Sequence, residues 1–161
     1  MEDNYNMHPY DNVNYDGSLA WYVGSKNTDS DQSKYPAGRA LKAITGFNYI
    51  AYGCSTTGKS NLESSQVKSK LVSTINTGHA VLACGRSNSQ GTSYMPGYPA
   101  GKYGHWIASD GYRDDGKQVW VVDPAGSNTG VLGSSWKSVF AYYSVSIDKF
   151  TDFAWYHGIL W

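Results

Sequence analysis

The sequence of residues 104–124 is Gly-His-Trp-Ile-Ala-Ser-Asp-Gly-Tyr-Arg-Asp-Asp-Gly-Lys-Gln-Val-Trp-Val-Val-Asp-Pro, and it predicts a β-hairpin. Both flanks are rich in β-branched and aromatic residues, which favour strands, and the central Asp114-Asp115-Gly116 supplies the positive φ angles of a tight turn. In an antiparallel pair, the start of the first strand lies beside the end of the second. The hairpin is therefore expected to bring His105 close to Asp123.

His105 and Asp123 have the chemistry of a general base and its orienting acid. A carboxylate beside an imidazole fixes the tautomer of the ring and stabilises the imidazolium. Such a His–Asp pair provides two of the three residues of a nucleophilic triad. The spacing also fits an exposed His at a strand start and an Asp-Pro turn, so the spacing leaves both interpretations open. Asp110 is a poorer candidate acid, because an odd step from His105 turns it to the opposite face of an ideal strand.

Short motifs in and before the hairpin carry a family resemblance. They resemble the double-glycine-leader-peptidase group of papain-like cysteine peptidases over about residues 36–125, in this order: Gly78-His-Ala-Val-Leu, Gly104-His-Trp-Ile, Asp110-Gly-Tyr, Asp114-Asp-Gly and Val122-Asp-Pro-Ala. By position, the resemblance implies that His105 is the general base and Asp123 its orienting acid. It also implies a bacterial hydrolase of the cysteine-peptidase type.

The nucleophile that the resemblance implies has no counterpart in the sequence. In the family, the Cys opens a helix within a Cys-Gly-Pro-type motif, but Cys54 and Cys84 are the only thiols here and both follow apolar, strand-like runs. We expect the Cys to come from an N-terminal segment or a separate chain outside these 161 residues, and this chain alone to be inactive. Cys54 and Cys84 are either two separate thiols or, if their strands are neighbours, a disulfide.

Length and composition narrow the class of protein. A chain of 161 residues suits one domain over residues 1–161. Lys plus Arg equals Asp plus Glu at 13 each, so we expect no nucleic-acid partner. No apolar run approaches the roughly 20 residues that span a bilayer, so we expect no membrane partner. Fourteen Tyr, six Trp and only 16% charged residues are typical of a protein that is secreted or at the cell surface.

The remaining elements are predicted from periodicity and capping signals. A capping box at Ser60-Asn-Leu-Glu63 predicts the start of a second helix that stops at Gly78. The other predictions are an irregular segment over residues 1–35, a helix over 36–46, a short strand within 48–53, a strand over 79–84, a loop over 85–103, a short helix over 136–143, and strands over 145–147 and 154–161. The loop precedes His105, so we expect it to border the site and to contact substrate through Tyr94, Tyr98 and Tyr103. A solvated loop whose aromatic side chains pack down is equally open. Trp106 is a further predicted substrate-binding residue.

The predicted fold is α+β, with two helices packed on an antiparallel sheet. The resemblance implies that this is a papain-like fold without its N-terminal nucleophile helix. The predicted function is the His/Asp part of a secreted cysteine peptidase acting on a peptide or protein substrate, without a cofactor. No metal site is expected, because His8, His79 and His157 form no spaced cluster with other ligands. Two alternatives are open: acyl transfer of the transglutaminase type, and a non-catalytic module that binds peptide or cell-wall glycan.

Overall fold

The computed structural model describes residues 36–53, 62–87, 95–99, 103–127, 136–155 and 158–161. The chain divides into two units between Ala51 and Tyr52, and the expectation of a single domain stays a prediction. In the first unit, helix α1 spans Pro36–Thr45 and is followed by Gly46, whose φ of 75° suits the end of a helix. This confirms the helix predicted over residues 36–46. The irregular segment predicted over residues 1–35 lies outside the described residues.

A six-stranded sheet organises the rest of the described chain. Its strands, in the spatial order β1-β6-β2-β3-β4-β5, are β1 Ala51–Tyr52, β2 Val81–Ser87, β3 Tyr103–Arg113, β4 Gln118–Val122, β5 Tyr142–Ser146 and β6 Ile159–Leu160. Neighbouring strands from β6 to β5 pair antiparallel. The predicted hairpin occupies the centre of this sheet as β3 and β4.

Two helices cover one face of the sheet, here called the inner face. They are α2, Ser64–Asn76, and α3, Ile147–Ala154. Their buried side chains form one apolar core with the inward residues of the strands, including Val67, Leu71, Phe150, Phe153, Val81, Val119 and Val121. This is the α+β, papain-like architecture that the sequence predicts. The opposite, more exposed side of the sheet is called the outer face.

The turn of the hairpin has the backbone that its residues favour. Asp114, Asp115 and Gly116 have φ angles of 52°, 53° and 78°. Asp and Gly tolerate this left-handed region better than other residues do. Across the turn, Arg113 pairs with Gln118. The local sequence therefore sets the register that places the far ends of β3 and β4 side by side.

Two predicted boundaries before the hairpin differ from the structure. Helix α2 begins at Ser64 with Glu63 as its N-cap, and the Glu63 side chain makes no capping bond. Glu63 thus does not hold the third helical position that a capping box needs, and the predicted start is wrong. The strand predicted over residues 79–84 is confirmed as β2, but β2 runs through residue 87 because its pairing with β3 continues to Ser87 and Tyr103.

The helix predicted over residues 136–143 is wrong. Residues 136–139 form a turn, closed by a bond from the Val139 N–H to the Trp136 carbonyl, and β5 then begins at Tyr142. Burial alternates along β5, where Tyr143 and Val145 are buried, as expected for a strand with one face on the core. Pairing with β4 therefore overrides the helical spacing of this segment.

The strands predicted over residues 145–147 and 154–161 are only partly correct. β5 ends at Ser146, whose hydroxyl accepts a hydrogen bond from the Lys149 N–H at 3.2 Å and caps helix α3. Ile147 and Ala154 therefore belong to a helix, and within the described part of 154–161 only Ile159–Leu160 is a strand. Among the described residues, no helix has both the length and the apolar character needed to cross a membrane.

Candidate active site

His105 and Asp123 lie side by side on the inner face. Asp123 follows β4 directly, and Ala108 of β3 pairs with Val122, so Asp123 is a diagonal neighbour of His105. The His105 Nε2 atom lies 2.8 Å from the Asp123 Oδ1 atom. This distance is within hydrogen-bond reach, as expected for the two ends of the hairpin. The Asp123 side chain is fully buried, whereas the imidazole of His105 is 15% exposed.

The Asp123 carboxylate is surrounded by hydrogen-bond donors. Oδ1 accepts from the backbone N–H of Ala125 at 2.9 Å as well as from His105. Oδ2 accepts from the hydroxyls of Tyr98 at 2.5 Å and Tyr143 at 2.9 Å. Four donors therefore replace water around this buried charge, which is the condition under which a buried carboxylate is tolerated.

These contacts keep Asp123 ionised. Burial by itself would raise the pKa of Asp123, but hydrogen bonds from His105, Tyr98 and the Ala125 N–H, with the charge of His105, outweigh burial and lower this pKa below its usual value. Burial above all raises the pKa values of Tyr98 and Tyr143, so both phenols stay protonated and able to donate. The negative charge of Asp123 thus faces two neutral phenols.

The ionised carboxylate determines which nitrogen of His105 carries the proton. A carboxylate only accepts hydrogen bonds, so Nε2 must carry the proton, and Nδ1 is then the nitrogen with a lone pair. Within the described residues, Nδ1 has no hydrogen-bonding partner. The ring is held by aromatic contacts with Tyr98, at 5.7 Å between centroids, and Trp136, at 5.5 Å. Nδ1 is thus available to take a proton.

The other predicted site residues are distributed around the pair. Tyr98 contacts Asp123 through its hydroxyl and His105 through its ring. Trp106 follows His105 in β3, so alternation places it on the outer face, away from the pair. Tyr103 is the first residue of β3, but its side chain lies outside the described residues, as does Tyr94. The substrate-binding roles of these residues stay predictions.

Neither cysteine is placed beside His105 by the described structure. Gly85 of β2 pairs with His105, and Cys84 pairs with Trp106. Cys84 is buried and, by alternation along β2, lies on the outer face with Trp106. Cys54 lies outside the described residues, so the Cys54–Cys84 disulfide stays a prediction.

Two residues next to the pair were not predicted from the sequence. Tyr143 donates to Asp123, and Trp136 packs on His105. The alternation of Tyr143 with Val145 is typical of a strand and could have placed Tyr143 on the inner face. The spacing of apolar residues over 136–143 instead favours a helix. Trp136 lies in a turn, where no local period indicates its contact. Among the described residues, no group of three or more His, Cys, Asp or Glu side chains is placed to hold a metal ion.

The fold and the match to a protein-family model indicate the same class of protein. Helices packed on an antiparallel sheet that carries adjacent His and Asp side chains define the papain-like class of α+β folds. Residues 8–147 match the model of the Peptidase_C39 like family, and the chain belongs to this family. It is therefore a cysteine-peptidase-related domain, which confirms the resemblance and extends it beyond residues 36–125. No curated protein and no solved structure matches the chain.

Proposed function

We propose that this chain supplies the general base and the orienting acid of a cysteine peptidase that hydrolyses peptide bonds. The observation that carries the proposal is the 2.8 Å contact between His105 Nε2 and the buried Asp123 Oδ1, which leaves Nδ1 as the basic nitrogen. A His oriented in this way can activate a thiol. Family membership supports the same chemistry, because the matched family is named for a cysteine peptidase.

The proposed reaction proceeds by acyl transfer through a thioester. His105 Nδ1 takes the thiol proton, and the thiolate sulfur forms a bond to the substrate carbonyl carbon. As the C–N bond breaks, the imidazolium returns the proton to the leaving amine. His105 then takes a proton from water, whose oxygen displaces the thiolate and releases the carboxylic acid product. Throughout, Asp123 stabilises the imidazolium and holds its orientation.

The thiol in this proposal comes from a segment or a chain outside residues 1–161. The outer-face position of Cys84, opposite Trp106, supports an external source because its sulfur and the His105 imidazole lie on different sides of the sheet. Cys54 follows strand β1 in the sequence and lies outside the described residues. We expect residues 1–161 alone to be inactive.

The test compares the chain alone with the chain supplied with a Cys-bearing N-terminal segment, either encoded upstream in its gene or added in trans. Hydrolysis of a peptide library and labelling by iodoacetamide are measured for both forms. The expected result is no hydrolysis by the chain alone and hydrolysis by the supplemented form. In that form, His105→Ala should lower the rate by about 10²-fold to 10⁴-fold, because a general base is lost.

His79→Ala is the matched control, since His79 precedes β2 and contributes nothing to the proposed reaction. It should retain the activity of the supplemented form. Hydrolysis by the chain alone that Cys54→Ser or Cys84→Ser abolishes would show that the nucleophile is internal. Peptide or glycan binding without hydrolysis in both forms would instead favour the binding-module alternative.

We also propose that the protein acts outside the cell, secreted or at the cell surface. The support is its composition, rich in Tyr and Trp and with 16% charged residues. Immunodetection in culture medium, cell-wall and cytoplasmic fractions tests this directly. Detection confined to the cytoplasmic fraction would contradict it.

A further inference from the structure

Two tyrosines from different parts of the chain converge on one oxygen of Asp123. Tyr98 belongs to the described segment 95–99, before β3, and Tyr143 belongs to β5. Both hydroxyls donate to Oδ2, at 2.5 Å and 2.9 Å. Oδ1 is therefore left to His105 and the Ala125 N–H. The carboxylate cannot rotate without breaking bonds at both oxygens.

The position of Tyr98 is fixed by contacts that do not involve Asp123. Its ring packs edge-on against Phe153 of α3, with 6.1 Å between ring centroids, and in a tilted arrangement against Trp136, with 5.0 Å between centroids. Phe153 in turn covers Gly85, where an added Cβ would lie only 2.4 Å from the phenyl ring. Tyr98 is thus supported from behind by helix α3, and its hydroxyl is presented to the carboxylate.

The backbone near Tyr98 is also closely packed. Gly97 has a φ of 80°, and a Cβ there would lie 2.1 Å from the carbonyl oxygen of Ser138. Only glycine permits both this conformation and this approach. The turn that carries Tyr98 therefore lies directly against the turn that follows Trp136. These contacts hold Tyr98 in place from two directions.

We propose that Tyr98 and Tyr143 are positioning residues of the His105–Asp123 pair, which hold Oδ2 so that Oδ1 faces Nε2 and His105 keeps its base nitrogen at Nδ1. The proposal rests on the proposed function only in calling His105 a base. Tyr98 thereby has a role in orienting the site that is separate from its predicted role in substrate binding. Tyr143, which was not predicted from the sequence, has the same orienting role.

The proposal concerns the charge of Asp123 as well as its orientation. The titratable groups that contact Asp123 from the described residues are His105 on β3, Tyr98 in segment 95–99 and Tyr143 on β5. Each phenol contributes one hydrogen bond to the ionised form. Removing a hydroxyl weakens the ionised form, so the pKa of Asp123 should move upward toward the value that burial alone favours.

The test uses the chain itself and needs no enzymatic activity. The ¹⁵N shifts of the imidazole nitrogens report the tautomer of His105, assigned with His105→Ala, and the ¹³C shift of the Asp123 carboxyl reports its titration. In the unmodified chain, the neutral ring should carry its proton on Nε2. Tyr98→Phe and Tyr143→Phe should each populate the Nδ1–H tautomer and shift the Asp123 titration upward, and the double variant should do so most.

Tyr142→Phe is the matched control. Tyr142 is the neighbour of Tyr143 in β5, but its hydroxyl donates to Asp110 on the outer face. It should leave the His105 tautomer and the Asp123 titration unchanged. If Tyr98→Phe and Tyr143→Phe fold and behave like Tyr142→Phe, the two tyrosines only fill space and the proposal is wrong.

A variant that preserves the fold covers the case in which a phenylalanine variant does not fold. Fluorotyrosine at position 143 keeps the shape and hydroxyl of the ring but makes the phenol a stronger donor. It should move the Asp123 titration downward, and an unchanged titration would overturn the proposal. Failure of peptide hydrolysis in the supplemented protein would affect the proposed function alone, because these spectra do not depend on a nucleophile.

Discussion

Two tyrosine–carboxylate contacts lie on opposite faces of the same sheet. On the inner face, Tyr143 donates to Asp123 at 2.9 Å; on the outer face, Tyr142 donates to Asp110 at 3.4 Å. Asp123 is fully buried and accepts from three further donors, whereas Asp110 is exposed and Tyr142 is 53% exposed. Burial makes the inner contact matter more for stability, because a buried charge depends on protein donors whereas an exposed charge can be solvated by water.

The largest effect should come from removing the inner carboxylate. Asp123→Ala leaves the donors of Tyr98, Tyr143, His105 and Ala125 without their acceptor, which should lower the free energy of unfolding by about 3–5 kcal/mol. Asp110→Ala should change it by about 0.5 kcal/mol or less, because water replaces the exposed contact. Urea unfolding followed by tryptophan fluorescence measures both. Similar losses in the two variants would show that the faces do not differ.

A smaller difference is expected between two glycines on the sheet. Gly85→Ala places a methyl group 2.4 Å from the ring of buried Phe153, whereas Gly111→Ala places one 3.3 Å from the indole of half-buried Trp120. Overpacking should cost Gly85→Ala about 1–3 kcal/mol, and Gly111→Ala less than about 1 kcal/mol. Thermal unfolding decides between them. A tolerated Gly85→Ala would mean that Phe153 can move and does not hold Tyr98 firmly.

The inner carboxylate should also contribute to the acid limit of stability. The folded-state pKa of Asp123 is lowered, so its stabilising contribution is present above the unfolded value of about 3.9 and is lost as pH falls below that value toward the folded pKa. One such group changes the slope of the free energy of unfolding against pH by at most about 1.4 kcal/mol per pH unit. Urea unfolding between pH 2 and pH 6, at about half-unit steps, should show a shallower acid slope for Asp123→Asn than for the unmodified chain. Equal slopes would contradict a lowered pKa.

The smallest effect should come from the outer tyrosine. Tyr142→Phe removes a hydroxyl that donates over 3.4 Å to an exposed carboxylate, and it retains the stacking of this ring on Trp120 at 5.1 Å. The free energy of unfolding should change by less than about 0.5 kcal/mol. Differential scanning calorimetry is sensitive enough to bound it. If Tyr142→Phe and Tyr143→Phe lowered the free energy of unfolding equally, the two faces would not differ.

The parts of the site that the sequence could predict are those set by local rules. Asp-Asp-Gly determines the turn, the flanking residues favour strands, and antiparallel pairing then places His105 near Asp123. The two hydrogen bonds to Asp123 Oδ2 come from residues that are distant in sequence. Tyr98 and Tyr143 are 25 and 20 positions from Asp123, and no period or turn signal relates them to it.

Helix α3 was missed for a different reason. Ile147, Phe150, Thr151 and Ala154 are buried at helical spacing, but the segment has only eight residues, and short apolar stretches fit a strand as well as a helix. Ser146, whose hydroxyl caps the helix, is the local signal that distinguishes a helix from a strand here. Because α3 carries Phe153, the missed helix also concealed the support behind Tyr98.

Asp110 matters to the fold through its backbone, because it forms a bulge in β3. Ser109 pairs with Val121 and Gly111 with Trp120, so Asp110 is one extra residue in the strand. This residue lets His105 and Tyr112 both face inward although an odd number of positions separates them; Tyr112 donates to Asn76 of α2 at 2.8 Å. Deleting codon 110 in frame would turn one half of β3 over and carry either His105 or this helix contact to the outer face. The fold should therefore tolerate a substitution at residue 110 far better than a change in the length of β3.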